Sequence, residues 1–163
     1  MSDTPDAIRK TARLDAPLTR VWEAVSDSHQ FGAWFGAEFD GPFAPGATLT
    51  ARIRPTTVDP EVARLQEPHA GHAFEVVVTA VEPPHRLAFC WHPHGTGGPG
   101  HADDPMTLVE FRLEADGDAT RITITESGFD RIALARRAQA FDANDGGWTH
   151  QLRLVDLYVA GPR

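Results

Sequence analysis

The sequence predicts an α+β fold in which a curved antiparallel sheet of about six to seven strands packs against a long C-terminal helix. Val109, Phe111 and Leu113 alternate with polar residues, which is typical of a strand with one apolar and one solvated face. Apolar residues from Trp148 to Val159 recur at steps of four, three and four, which places them on one side of a helix. Each apolar surface needs a partner, so we expect the helix to cover the sheet, with a pocket between them.

The N-terminal part predicts one strand and two short helices. Residues 8–14 alternate between apolar and polar side chains, as in a strand. Pro17 suits the first turn of a helix, and capping-type residues around Asp27 separate it from a second helix that leads to Trp34-Phe35.

Turn signals divide the middle of the chain into further strands. These are predicted at residues 48–54, 72–81, 86–92, 106–114 and 120–127. Two long polar loops, residues 55–71 and 93–105, interrupt them, and the first contains a helical turn or two at Pro60–Gln66. Loops of this length are usually functional or mobile.

The glycine pair Gly146-Gly147 falls inside the predicted final helix. The apolar face is continued at a spacing of seven by Leu134, Phe141, Trp148 and Val155. This spacing favours one long helix, with two shorter helices as the alternative. Because an interior glycine costs up to about 1 kcal/mol relative to alanine, we expect the pair to lie where the helix backbone approaches a neighbour closely.

Size and composition predict a single domain over residues 1–163, with a flexible N-terminus at residues 1–6. The chain has 163 residues, of which 41% are hydrophobic, so it can bury a core without metals or disulfides. Cys90 is the only cysteine and lies in an apolar run, which favours a buried thiol and a reducing, cytoplasmic location. No apolar run approaches the roughly 20 residues of a membrane helix, so we expect no membrane insertion.

Charge and motifs exclude several function classes. A net charge of -8 argues against nucleic acid and anionic membranes as partners, because both require a basic surface. The glycines between Gly95 and Gly100 precede no helix, so they predict no phosphate-binding loop, and we expect no cofactor. The serines lie in no nucleophile-elbow pattern.

Glu126 is the one candidate catalytic residue. It shares strand parity with Ile122 and Ile124, so its carboxyl should point to the covered face. Loss of hydration there disfavours the charged form, which would let Glu126 act as a general acid or base, or hydrogen-bond a ligand. Alternatively, Glu126 lies at a strand end where it accepts from backbone amides or reaches solvent.

The histidines suggest a metal site that their surroundings disfavour. His92 and His94 stand two residues apart where a strand ends, so both could reach one ion. A third ligand could come from His69, His72 or His101. Pro93 distorts the strand, and no cysteine or carboxylate stands at a standard ligand spacing, so we expect no metal.

Four short stretches, spread over nearly the whole chain, carry a family resemblance. They are residues 16–22 with Trp34-Phe35, residues 81–87 with Phe89 and Trp91, residues 125–129, and Gly147-Trp148 with Leu152 and Tyr158. In this order they resemble the START-like (SRPBCC) superfamily, in the branch of heat-shock-protein ATPase activator homologues. The resemblance implies the helix-grip fold, a sheet curled around the C-terminal helix, with a cavity that accepts apolar or amphipathic small molecules.

The superfamily includes lipid carriers, polyketide aromatases and cyclases, and co-chaperone domains, so the resemblance implies a cavity rather than a reaction. The long loops at residues 55–71 and 93–105 depart from the compact pattern and are expected to reshape the cavity mouth. Trp91 and Trp148 are the preferred contacts, because a buried indole N–H needs a partner. The full predicted ligand-binding set is Trp34, Phe35, Phe74, Phe89, Trp91, Phe111, Ile124, Glu126, Trp148, Gln151, Leu152 and Val155.

The preferred functional hypothesis is non-catalytic binding of a small apolar or amphipathic molecule in this cavity. Apolar burial would supply the affinity, and one or two polar groups would fix the orientation. One alternative is an aromatase-, cyclase- or hydrolase-like enzyme that uses Glu126 as acid or base. A second, implied by the family name, is a chaperone-associated protein. Leu154 and Leu157 widen the apolar side of the last helix, so the chain is expected to be a monomer or a homodimer.

Overall fold

The computed structural model describes residues 6–93 and 104–161, and it confirms the predicted α+β fold class. The strands are β1 (Ala7–Leu14), β2 (Ala37–Phe39), β3 (Thr48–Ile53), β4 (Ala73–Glu82), β5 (Arg86–Trp91), β6 (Thr107–Asp116) and β7 (Ala119–Ser127). The helices are α1 (Leu18–Ser26), α2 (Ser28–Phe35), α3 (Pro60–Gln66) and α4 (Leu134–Ala160), with short 3-10 turns at Glu67–His69 and Phe129–Arg131. All strand pairs are antiparallel, in one curved sheet of order β1-β7-β6-β5-β4-β3-β2.

Two of the sequence-based expectations fall largely outside the described residues. These are the flexible N-terminus at residues 1–6 and the loop at residues 93–105. In the described part, no helix combines the length and the apolar character needed to cross a membrane.

Local capping chemistry sets the two helices that follow β1. Asp27 precedes α2 in an extended conformation, and its side chain accepts from the backbone N–H groups of His29 and Gln30, as an N-cap should. Pro17 lies just before α1 rather than within its first turn. Strand β2, with only three residues, was not expected from the sequence, because it is too short to show alternation.

The alternation along β6 and β7 produces the buried face that the sequence predicts. Phe111 of β6 pairs with Ile124 of β7, and Leu113 pairs with Ile122. All four side chains are buried, together with Val109. Side chains two residues apart share a face of the sheet, so these strands supply a continuous apolar surface.

Helix α4 is one helix of 27 residues that runs through the glycine pair. Trp148, Val155 and Val159 are buried on its inner side, as their spacing predicts. Leu134 is 65% exposed, so the apolar face does not extend back to the first residue of the helix. Leu154 is fully buried and Leu157 is 41% exposed.

The expectation that the backbone of α4 approaches a neighbouring element closely at Gly146 and Gly147 is wrong. Beyond the adjacent backbone of α4 itself, a Cβ atom added at either position would meet no described atom within 4 Å. A close approach occurs instead at Gly32 of α2, where an added Cβ would overlap the carbonyl oxygen of Ala37. The pair in α4 therefore weakens the helix without enabling a contact.

Replacing either glycine of the pair should stabilise the protein. We expect Gly146→Ala and Gly147→Ala each to raise the free energy of unfolding by up to about 1 kcal/mol, because alanine restricts the unfolded chain and meets no obstacle in the helix. Urea denaturation measures the change. Gly117→Ala is a matched control: its added Cβ also meets no described atom within 4 Å, but its φ of 62° is left-handed. It should lose about 1 kcal/mol, and a loss at the helix positions would contradict the argument.

Candidate functional site

Strand alternation brings three polar or amphipathic side chains together on the inner face, at one end of the sheet. Trp91 ends β5 and is paired directly with Thr107, which begins β6. Glu126, near the end of β7, is paired with Val109, two residues beyond Thr107. Glu126 and Thr107 are both fully buried. The sequence-based orientation of Glu126 toward the covered face is thus the observed one.

The Glu126 carboxylate is the centre of a side-chain hydrogen-bond cluster. Its Oε1 accepts from Trp148 Nε1 at 2.8 Å and from Asn144 Nδ2 at 2.9 Å. Its Oε2 accepts from Trp91 Nε1 at 2.8 Å, Thr107 Oγ1 at 2.5 Å and Asn144 Nδ2 at 3.0 Å. We call these five residues the Glu126 cluster. The cluster joins three adjacent strands of the sheet to α4.

The cluster holds its carboxylate with neutral groups. An indole N–H can only donate, so Trp91 and Trp148 match a carboxylate that only accepts. Lys10, on the strand beside β7, forms its ion pair with Asp145 of α4 at 3.0 Å instead. Glu126 has no ion-pair partner within the described residues, so side-chain donors replace the water that its carboxyl group has lost.

The two indoles of the cluster and two neighbouring phenyl rings form what we call the aromatic wall: Phe35, Phe74, Trp91 and Trp148. The rings of Trp91 and Trp148 are stacked, with centroids 5.6 Å apart and planes at 28°. Phe35 lies 5.9 Å from Trp91 and 6.1 Å from Trp148, and Phe74 lies 6.2 Å from Trp91. Trp148 is buried, whereas the other three rings are only partly buried. The wall therefore has a buried side at Glu126 and a partly exposed rim.

Residues 15–160 match the model of a protein family described as Activator of Hsp90 ATPase homolog 1-like protein. The chain belongs to this family. It has the helix-grip fold of the START-like superfamily, as the sequence resemblance implies. Comparison with curated proteins finds no match to this sequence.

Several solved structures share the fold. DynU16, a protein in the dynemicin biosynthetic locus, is 26% identical with a TM-score of 0.68, over 96% of this chain and 48% of DynU16. The chain thus spans about half the length of DynU16. BH1534 from Bacillus halodurans is 26% identical with a TM-score of 0.67, over 98% of this chain and 99% of that protein. CalU16 from Micromonospora echinospora is 21% identical with a TM-score of 0.64, over 94% and 76% of the two chains.

Within this family fold, the predicted site residues separate into wall and core. Trp34 is fully buried and donates its indole N–H to Ala24 O of α1 at 2.9 Å, so it belongs to the packing of α1 on α2. The predicted contacts that are likewise core residues are Phe89, Phe111, Ile124 and Val155. Gln151 and Leu152 are partly buried one turn beyond Trp148.

Two surface depressions, of about 420 and 460 Å³, lie away from the wall. Both are lined by Glu38, Phe39, Asp40 and Arg54 around β2, and neither includes a wall residue. At the wall itself, the rings pack against one another at centroid distances of 5.6 to 6.2 Å.

The sequence did not predict Thr107 and Asn144 as site residues. Thr107 shares strand parity with Val109 and Phe111, and Asn144 lies four residues before Trp148 on the same helix face. A polar residue on an apolar face was therefore the available signal. The alternative that Glu126 accepts from backbone amides or reaches solvent is wrong, because its donors are side chains and it is fully buried.

Within the described residues, the histidines do not form the metal-binding cluster that their spacing suggests. No group of three or more metal-ligating side chains occurs there. His92 instead contacts the backbone oxygen of Asp104 through Nε2 at 3.0 Å. His94 and His101 lie outside the described residues.

Glu126→Gln should destabilise the fold. The amide replaces one accepting oxygen with an NH2 group that faces donors, so we expect a loss of at least about 2 kcal/mol in the free energy of unfolding. Urea denaturation measures it. Glu114→Gln, on the exposed side of β6, is the matched control and should change stability by less than about 0.5 kcal/mol. Equal effects of the two substitutions would show that the cluster does not stabilise the protein.

Cys90 should react slowly with alkylating reagents. It lies between Phe89 and Trp91 on β5 and so faces the outer side of the sheet, where it is partly buried rather than a core residue. Burial raises the pKa of the Cys90 thiol, with a smaller opposing effect from Arg131. Less thiolate is present at pH 8, so iodoacetamide should modify Cys90 more slowly than free cysteine. Unfolding in urea should remove the difference, and equal rates in the folded protein would contradict this assignment.

Proposed function

We propose that this protein binds a small, neutral, amphipathic molecule with a flat apolar body at the aromatic wall, without catalysing a reaction. The observation that carries the proposal is the Glu126 cluster, a fully buried carboxylate whose hydrogen bonds fix two indoles of the wall. We place the protein in a reducing cytoplasm, in keeping with its single cysteine.

The physical argument begins with the cost of the cluster. Removing a carboxylate from water without a cation is unfavourable, and an apolar side chain of similar size is often as stable at such a position. Hydrogen bonds, however, have directions that apolar contacts lack. The cluster thus determines where the Trp91 and Trp148 rings stand, which is useful to a surface that must present them to a ligand.

The rim of the wall supplies the apolar contact area. Phe35, Phe74 and Trp91 are each partly exposed. A ligand that removes about 150 Å² of apolar surface from water would gain about 4 kcal/mol from that burial. The rings of the wall pack against one another, so Phe35 and Phe74, which the Glu126 cluster does not hold, must reorient on binding.

The similar structures support a small organic ligand. DynU16, which shares the fold and 26% of aligned residues, is a protein in the dynemicin biosynthetic locus. We take this place in a biosynthetic locus as support for a ligand that is a small organic molecule. The START-like fold is likewise a ligand-binding fold.

The two alternative functions are acid–base catalysis by Glu126 and a chaperone-associated role, and each requires something different of the protein. A general acid or base must exchange protons with its substrate, but both oxygens of Glu126 already accept hydrogen bonds from the cluster. A chaperone-associated role, suggested by the family name, would require contact with a protein surface rather than with the wall. Non-catalytic binding is therefore the function that the geometry favours.

Indole signals in a ¹⁵N-correlated NMR spectrum test the proposal. The chain has four tryptophans, and so four indole N–H signals that can be assigned by single Trp→Phe substitutions. Titration with 2-methoxynaphthalene, a flat neutral probe, should shift the signals of Trp91 and Trp148 in a saturable way. Trp22 makes no ring contact with the wall among the described residues and serves as the internal reference.

The matched variants are Trp91→Phe and Trp22→Phe. We expect Trp91→Phe to weaken binding about ten-fold, because it removes both ring area and the hydrogen bond to Glu126. Trp22→Phe should leave affinity within about two-fold. Equal shifts of all four signals, or no saturable shift at all, would rule out binding at the wall.

A further inference from the structure

Gln151 carries a buried polar atom that the fold leaves without a partner. It lies three residues after Trp148 on α4, and its Nε2 donates to the carbonyl oxygen of Phe35 at 3.0 Å. Its Oε1 is buried and has no hydrogen-bond partner among the described residues. Phe35, whose carbonyl holds the amide, and Trp148, one turn earlier on α4, both contribute rings to the aromatic wall, so Gln151 is anchored to two wall residues.

The orientation of the Gln151 amide is fixed by chemistry. A carbonyl oxygen only accepts, so the nitrogen must face Phe35 and the oxygen must point away from it. Gln66 provides a comparison, because its Nε2 donates to the same carbonyl at 3.1 Å. The Oε1 of Gln66 accepts from the backbone N–H of Thr56 at 2.8 Å. Of these two glutamines, one is satisfied by the fold and the other is not.

We propose that Gln151 Oε1 accepts a hydrogen bond from a neutral hydroxyl or N–H group of the ligand. The site would then prefer flat aromatic molecules with such a donor, phenols and naphthols being the simplest. This inference rests on the proposed function, since it concerns the same wall. It goes further by naming a residue that selects the ligand and the group that the residue recognises.

Charge supports a neutral donor rather than an anion. The wall is backed by the Glu126 carboxylate, and the chain as a whole carries a net charge of -8. A ligand carboxylate or phosphate would be repelled by that charge and would bring only acceptors to an unpaired acceptor. A hydroxyl group supplies the missing donor without adding charge.

Calorimetric titration with two probes tests the inference. 2-Naphthol and 2-methoxynaphthalene share their ring system, but only 2-naphthol can donate a hydrogen bond. We expect the native protein to bind 2-naphthol about 5- to 10-fold more tightly, the effect of one hydrogen bond. Gln151→Met keeps the length of the side chain and removes the acceptor, so it should reduce the ratio of affinities to about 1, with little change for 2-methoxynaphthalene.

Gln66→Met is the matched control. It also removes a donor to Phe35 O but leaves Gln151 Oε1 in place, so the preference for 2-naphthol should persist. Circular dichroism checks the folding of each variant, and Gln151→Leu replaces Gln151→Met if the latter is unfolded. Equal affinities in the native protein, or a preference that survives loss of Gln151, would overturn the inference and leave wall binding intact. Failure of both probes to bind would overturn wall binding itself.

Discussion

The buried carboxyl group of Glu126 is the constraint that organises this end of the molecule. A carboxylate that has lost its water must find donors within the protein, and a carboxylate can accept about four hydrogen bonds. Thr107 and Trp91 supply donors from the sheet, while Asn144 and Trp148 supply them from α4. Asn144 and Trp148 are four residues apart and share one helix face, so both reach the carboxylate only if α4 takes one rotation and one position along the sheet. The cluster thereby fixes the rotation and the axial position of α4 against the sheet.

The same constraint explains the form of the wall. With both indole N–H groups directed at one carboxylate, Trp91 and Trp148 must lie side by side, and their observed stacking at 5.6 Å follows. Phe35 and Phe74 then contact the indoles from the rim. A wall held together only by apolar contacts could repack in several ways, because such contacts have little directionality. Tying the indoles to Glu126 leaves Phe35 and Phe74 as the two rings of the wall that the cluster does not hold.

Much of this could be predicted from the sequence, and the remainder could not for identifiable physical reasons. Period-two alternation orients Glu126 inward, and a spacing of four and three orients Trp148 and Val155 inward, because these periods belong to the backbone. Whether Gly146 and Gly147 touch a neighbour depends on the distance between elements, which no pattern along the chain encodes. Thr107 and Asn144 are ordinary polar residues in sequence. They become partners of Glu126 only through pairing across three strands and a helix.

Ligand affinity and stability are linked at this site, because one helix carries residues of both. Trp148 is held by Glu126, and Gln151, three residues on, presents the unpaired acceptor beside the wall. A ligand bound there contacts α4 only in the folded state, so it stabilises the fold by mass action in proportion to its affinity. The glycine pair just before Trp148 weakens the helix where the cluster must hold it. The hydrogen bonds of the Glu126 cluster offset that weakness in the free protein. A ligand that donates a hydrogen bond to Gln151 Oε1 would stabilise the folded state further.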